Sequence, residues 1–273
     1  MADLIEITDL HDPRIDVYRD IRERDLVGRD GLFVAEGKVV VEKLTDNDRH
    51  RLVSLLIASK RVGELQSVIA RLADDVPVYM ASQNVIDAIA GFPLHRGILG
   101  IGRRTDTPTA TQLLAACRQS ATVLVLSGIA NHDNMGGIFR NAAAFGVTAV
   151  LLDADCCDPL YRKAIRVSVG GTLMVPFAQM ARNEDAVDLF DRHGFSPVAL
   201  SPAGDCLLKN WQPAHRTAVF LGAEGPGLSA DIMQRTQSIQ IAMSGGFDSL
   251  NVATTSGIVL HHIAASEHEI ETV

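Results

Sequence analysis

The sequence predicts an α/β protein in two modules, the second built around a mostly parallel sheet. Three observations lead there. From Thr122 onwards, short apolar runs alternate with helical patterns, as strands joined by crossover helices do. A polar, proline-bearing connector, Thr105-Asp106-Thr107-Pro108-Thr109, separates this region from residues 1–105, which carry their own strand and helix alternation. Glycine-rich or polar loops also follow predicted strands directly at three places in the second module, and the carboxyl ends of strands are where open α/β sheets bind ligands.

In the first module, residues 13–30 read as a surface helix with five arginines, Arg14, Arg19, Arg22, Arg24 and Arg29. Interleaved acids fit a solvated helix laced with ion pairs; the alternative is an edge that faces RNA. Gly31–Ala35 is a short strand, and Glu36-Gly37 opens a helix over Lys38–Leu44. A strand over Leu52–Ala58, a helix over Val62–Ala73, a strand over Val76–Met80, a helix over Asn84–Ile89 and a strand over Gly97–Ile101 complete it.

The second module begins with a helix over Ala110–Arg118 and a continuous apolar strand over Thr122–Leu126, suited to burial on both faces. Then come helix Met135–Phe145, strand Ala149–Leu152, helix Pro159–Val167, strand Leu173–Pro176 and helix Glu184–Arg192. Strands Ser196–Ala199 and Ala218–Leu221 and helix Ala230–Arg235 follow. A strand over Ser238–Met243 leads, past Ser244-Gly245-Gly246, into a helix from about Leu250 to Ala265.

Composition bounds the function. The formal charge of −8 argues against adhesion to nucleic acid by bulk charge. Residues 1–105 carry 15 Lys+Arg against 17 Asp+Glu and the remainder 10 against 16, so any basic surface is local. Cys117, Cys156, Cys157 and Cys206 form no C-x-x-C pair, which points to reduced thiols and no metal site. The acidic start, MADLIEITDLHDP, lacks an export pattern, and the longest uncharged run, Ser249–Ser266, is too polar to span a bilayer. These features predict a soluble, cytoplasmic protein.

Three clusters carry the chemistry. Asn131-His132-Asp133-Asn134-Met135-Gly136-Gly137-Ile138-Phe139-Arg140 follows the first strand of the second module, and its glycines let the chain turn closely into a helix. Phe220–Ser229 surrounds Glu224 with Gly222, Gly225 and Gly227; it lacks both the G-K-[ST] ending of a phosphate loop and the spacing of a dinucleotide fingerprint. Asp248-Ser249-Leu250-Asn251 stands at the start of the last helix, where it can cap the helix or meet a ligand with free N–H groups.

In this order, N-x-x-N-x-G-x-x-x-R, L-G-x-E-G-x-G-L and I-x-M-x-x-x-x-D-S-L-N-V, the clusters resemble the three motifs of the SpoU/TrmH-type RNA ribose 2′-O-methyltransferases of the SPOUT superfamily. Asp158–Gly171 is similar to the family between the first two motifs, and Gly31–Gly37 resembles the ribosomal-protein-like substrate-binding domain often fused ahead of it. His132 and Ala242 depart from it, standing where the family carries prolines, which touches loop geometry.

The resemblance implies an RNA-binding α/β domain over 1–105, a linker and first helix over 106–119, and a methyltransferase domain over 120–273 whose last helix passes through a loop in a trefoil knot. It implies S-adenosylmethionine held around Leu221, Gly222, Gly225, Ile241, Met243 and Leu250; Leu, Ile and Met would serve equally as core. It implies a homodimer and an RNA partner, rRNA of the large subunit ahead of tRNA, gripped by local arginines such as Arg14, Arg22, Arg24, Arg103 and Arg104. Asn134, Arg140, Glu224, Ser249 and Asn251 match the reacting centre. A ribose hydroxyl is a weak nucleophile facing a good electrophile, so the site must align oxygen, methyl and sulfur and remove a proton. A guanidinium does not deprotonate in proteins, so Arg140 is assigned to the phosphate and developing alkoxide, with phosphate or water taking the proton. Glu224 orients Arg140 or a facing asparagine, with a direct base role as the second choice. Two other readings are an RNA-binding relative without catalysis, which retention of these five residues argues against, and an NAD-type oxidoreductase, which lacks a fingerprint.

Overall fold

The structure is a computed structural model describing residues 3–19, 21, 31–94, 96–105, 107–244 and 249–271, without the side chains of 267–271. The chain separates into two units, Met1–Asp106 with Leu160–Met174, and Thr107–Pro159 with Val175–Val273.

The first unit holds strands β1 (Leu4–Glu6), β2 (Leu32–Glu36), β3 (His50–Ala58), β4 (Val78–Ala81) and β5 (Ile98–Arg104), in the order β1-β4-β3-β5-β2. The β1–β4 and β3–β4 pairs are parallel; β5 runs antiparallel to both β3 and β2. Helices α1 (Lys38–Thr45), α2 (Gln66–Ile69) and α3 (Gln83–Ala90) connect them. The helix expected over 13–30 is a 3₁₀ turn at Pro13–Tyr18 that buries Ile15 and Tyr18; most of the remaining stretch lies outside the described residues. Val62–Ala73 divides into a 3₁₀ turn at Ser59–Leu65 and the single turn of α2.

The second unit starts with α4 (Ala110–Ala115), closed by a Thr109–Gln112 capping box. Strand β6 (Ala121–Ser127), helix α5 (His132–Ala144) and strand β7 (Ala149–Leu152) follow. Next in the chain are α6 (Arg162–Val167) and α7 (Gly171–Met174), which pack with the first unit. The strand expected over Leu173–Pro176 is therefore displaced. Gly171–Met174 forms a helical turn, and β8 begins at Phe177 and ends at Gln179, because four apolar residues do not by themselves distinguish the two periods. Then come α8 (Ala186–Arg192), β9 (Ser196–Leu200), β10 (Cys206–Leu207), β11 (Arg216–Gly222), α9 (Ala230–Arg235), β12 (Gln237–Gln240) and α10 (Val252–Glu271). The order is β10-β12-β9-β11-β6-β7-β8, with every ladder parallel. Central strands of such a sheet are covered on both faces, which is why Val123, Leu124, Val125 and Leu126 are all buried.

Two buried polar groups stand in the first unit, one paired and one not, among the described residues. Glu36, at the end of β2, accepts from Arg162 of α6 through Nε (3.2 Å) and Nη2 (2.7 Å), and the guanidinium stacks 4.5 Å over Phe92. His50 on β3 is buried edge-on to Phe33, with Nδ1 lacking a hydrogen-bond partner among the described residues. Burial, then the Arg49 and Arg104 charges, lower its pKa from 6.5 to about 4. Between those values the unfolded chain binds the proton more readily than the folded one, so stability falls as pH drops through that window. Urea titrations from pH 4 to 7 should show that fall in the parent and a shallower one in His50→Leu; parallel curves would remove His50 as the cause.

Candidate active site

The site is built where three parallel strands release the chain. Strand β6 ends at Ser127 beside Gly222, the last residue of β11. Gly128 turns the chain at φ +68, and Asn131 then caps α5, its Oδ1 accepting from the Asp133 N–H at 2.7 Å. This cap supplies the entry geometry at the position where His132 replaces a proline. Asn134 is thereby buried in the first turn of α5.

After β11 the loop folds back on itself through an Ala223–Gly227 bridge. A Cβ at Gly222 would stand 2.4 Å from the Gly227 carbonyl carbon, so no side chain fits there. Gly225 is needed for conformation instead, at φ +93 with open space around it. The loop presents Glu224. Past β12, Asn251 caps α10, its Oδ1 accepting from the N–H groups of Ala253 (2.9 Å) and Thr254 (3.3 Å).

These three segments meet at one carboxylate. Glu224 Oε1 accepts from Asn134 Nδ2 at 3.0 Å and from Asn251 Nδ2 at 2.8 Å, and Asn251 Nδ2 also reaches Asn134 Oδ1 at 2.8 Å. The amide orientations follow from chemistry. Asn251 Oδ1 must face the helix N–H groups, which leaves only its NH₂ for the carboxylate. The crossing of α5 and α10 holds the arrangement: Gly137 leaves room for Ala253, and Asn141 Nδ2 donates to Ala253 O (2.7 Å) and Ser256 Oγ (2.9 Å).

Beside this cluster lies a cavity of about 210 Å³. Leu221, Gly222, Gly225, Ile241, Met243 and Leu250 all line it, together with Glu224 and Ser249. Sequence reasoning missed Leu200-Ser201-Pro202, at the carboxyl end of β9, and Thr255 on α10, which also line it. Only the position of β9 beside β11 and β12 reveals the former. Arg140 is not drawn into the cluster. It is exposed on α5 with no hydrogen bond or ion pair among the described residues, so Glu224 is held by the two asparagines and not by Arg140. Asp248 lies outside the described residues.

In the first unit, Arg103 is exposed on β5 opposite Arg51 of β3, and Arg104 is half-buried opposite His50. Arg14 is occupied by Asp12 at 2.5 Å, an interaction that holds the Asp12 carboxyl at about 2. Arg22 and Arg24 lie outside the described residues. Among the described residues no group of three or more acidic, His or Cys side chains is placed to hold a metal ion, and no helix is long and apolar enough to cross a membrane.

The sequence profile of the SpoU rRNA methylase family matches residues 121–261. An uncharacterized tRNA/rRNA methyltransferase of Mycobacterium bovis is 38% identical, the match covering 98% of this chain and 94% of the relative. The 23S rRNA (guanosine-2′-O-)-methyltransferase RlmB of Acinetobacter baylyi is 28% identical over 81% of this chain and 92% of its own. The crystal structure of an AdoMet-bound rRNA methyltransferase from Sinorhizobium meliloti has the same fold, with a TM-score of 0.82 at 22% identity over 96% of this chain and 98% of that one.

Asn251→Asp tests the cluster. It keeps the cap but sets a second carboxylate against Glu224, and two like charges at that distance oppose folding once both ionise. Its stability deficit relative to the parent, measured by urea denaturation, should grow as pH rises from about 4 to 7. A deficit independent of pH would mean that the two groups do not meet.

Proposed function

The chain belongs to the SpoU rRNA methylase family, and from that premise we propose that it transfers a methyl group from S-adenosylmethionine to a ribose 2′-hydroxyl of large-subunit ribosomal RNA. The observation carrying the site assignment is the convergence of Asn134 and Asn251 on Glu224, which lines the cavity. Relatives named 23S rRNA (guanosine-2′-O-)-methyltransferase favour rRNA over tRNA as substrate.

The cavity fits the methyl donor by its chemistry. Apolar Leu221, Ile241, Met243 and Leu250 suit an aromatic base, and the glycines at 222 and 225 leave backbone open to polar groups. Bound there, S-adenosylmethionine supplies an electrophilic methyl group. The chain's residues do the rest. Glu224 fixes the two asparagine amides, and Asn134, Asn251 and Ser249 position the ribose. Arg140, exposed and with no ion pair among the described residues, grips the adjoining phosphate and stabilises charge on the 2′-oxygen; phosphate or water takes the proton.

The reading includes a trefoil knot made by α10, supported by its packing across α5 and by the Asn251–Glu224 contact. It includes a cytoplasmic location and an RNA-docking role for the first unit, with Arg103 the best-supported contact and an affinity that falls with salt. It also includes a homodimer. The outer faces of α5 and α10 frame an open groove of about 470 Å³ between Phe145, Ile258 and His261, with Ile258 37% exposed, and a second copy of this chain would cover it. Light scattering should return twice the chain mass; a monomer at micromolar concentration ends that part.

The central test compares cells lacking the chain with cells restored by the parent or by Arg140→Ala. The parent should restore one ribose methylation in large-subunit rRNA, and the variant should not. In vitro, Arg140→Ala should lose at least about 100-fold in rate, while calorimetry gives cofactor affinity close to the parent's. A restored mark in tRNA would reassign the substrate, and loss of cofactor binding together with methyl transfer would overturn the role of Arg140.

A further inference from the structure

We propose that Asp153 is a positioning residue for methyl transfer, fixing the turn from which Asn134 reaches Glu224. The inference rests on the assignment of Asn134, Glu224 and Asn251 to that reaction.

Asp153 directly follows β7, the neighbour of β6, and its backbone N–H extends the ladder to Leu126 O at 3.0 Å. Its side chain then crosses to the exit of β6. Oδ2 accepts from Ser127 Oγ at 2.7 Å and from the Gly128 N–H at 2.9 Å, while Oδ1 accepts from the Asp155 N–H at 3.0 Å. Cys156, on the same turn, continues the seam: its thiol donates to Leu126 O at 3.2 Å and its sulfur accepts from the Ile129 N–H at 3.3 Å. Cys157 N–H closes it on Ile129 O at 2.9 Å. Leu126 to Ile129 is thus held, residue by residue, by 153–157.

That held turn supports both catalytic loops. Five residues beyond Ile129 is Asn134. A Cβ at Gly128 would meet Ala223 Cβ at 3.2 Å, so the turn also lies against the residue before Glu224. Movement of Gly128 would displace donor and acceptor of the Asn134–Glu224 bond together. Burial alone would raise the Asp153 pKa; the hydrogen bonds from Gly128 and Ser127 outweigh it, leaving the group a carboxylate at neutral pH.

Only a carboxylate serves here. Both oxygens take backbone N–H groups, from Gly128 and from Asp155, and neither N–H can rotate into an acceptor. An asparagine of the same shape must turn its NH₂ towards one of them. Ser127, by contrast, is a hydroxyl on an oxygen already satisfied by Gly128, so its removal leaves the turn tied.

The experiment uses the full chain with rRNA isolated from cells lacking it as probe. Asp153→Asn should lower kcat at least tenfold, with KM and the Kd for S-adenosylmethionine within threefold and Tm little changed. The side-chain NH₂ resonances of Asn134 and Asn251 should shift, while Ser127→Ala stays within threefold of the parent. Asp153→Ala should lose activity and regain part of it with added formate, which restores the missing acceptors, but not with chloride. A kcat for Asp153→Asn within threefold of the parent overturns the proposal. So does a parallel collapse of Tm and cofactor affinity, or an absence of formate rescue. Asn134→Ala, run beside these, separates the levels: full activity there would defeat the underlying site assignment, whereas an inactive Asn134→Ala with an unaffected Asp153→Asn defeats only the role of Asp153.

Discussion

One carboxylate oxygen, Glu224 Oε1, accepts from amides that stand 90 residues before it and 27 after it. The candidate site depends on that shared acceptor, because it joins Asn134 on one helix to Asn251 at the cap of another. Each amide is short, with little rotamer entropy to lose, and each sits in the first turn or at the cap of a helix. Hydrogen bonds to a charged group contribute roughly 1.5–3 kcal/mol each. That is too little to bring distant chain segments together unaided, so the cluster is a consequence of the sheet. The β6–β11 register sets Ser127 against Gly222, and parallel strands bring their carboxyl ends to one side.

Why some of this was legible in the sequence follows from the same physics. Buried parallel strands need apolar side chains on both faces, and Val123–Leu126 and Ala149–Leu152 announce themselves that way. Gly222 is legible because its own loop excludes a side chain. The cap expected from Asp248 or Ser249 is supplied by Asn251, expected only at the site, because one amide can do both, with Oδ1 on the helix and Nδ2 on Glu224. The three-residue edge strand β1, largely exposed, carries no alternation to read, and it escaped notice. Asp153 escaped too. An acid at the end of a strand looks like any turn residue until the neighbouring strand's exit is known to lie beneath it.

Leu160–Met174 shows a second limit. Read along the chain, it continues the second module; in contacts it belongs with Met1–Asp106. Glu36 and Arg162 are 126 residues apart, and no local pattern relates them. The buried carboxylate is nevertheless a demand that some cation must meet, since an unpaired buried charge costs several kcal/mol. Lys43 donating to Val169 O at 2.7 Å and Asn47 to Leu173 O at 2.7 Å extend the same seam. Val169 lies in the left-handed region at φ 53, unusual for a β-branched residue, and its carbonyl is the one that Lys43 holds.

The division of charge at the site constrains the chemistry that can occur there. Glu224 Oε1 accepts from two amides, which fixes the carboxylate as the acceptor that orders them. Arg140 cannot accept a proton at all. In the proposed reaction Arg140 is therefore not the base, and the proton of the ribose hydroxyl is assigned to phosphate or water. In the proposed function the carboxylate orders the two amides and the guanidinium, outside that cluster, neutralises an anion. On a weak nucleophile paired with a strong electrophile, alignment and charge stabilisation carry most of the barrier lowering, and proton removal can be left to a group the RNA or solvent brings.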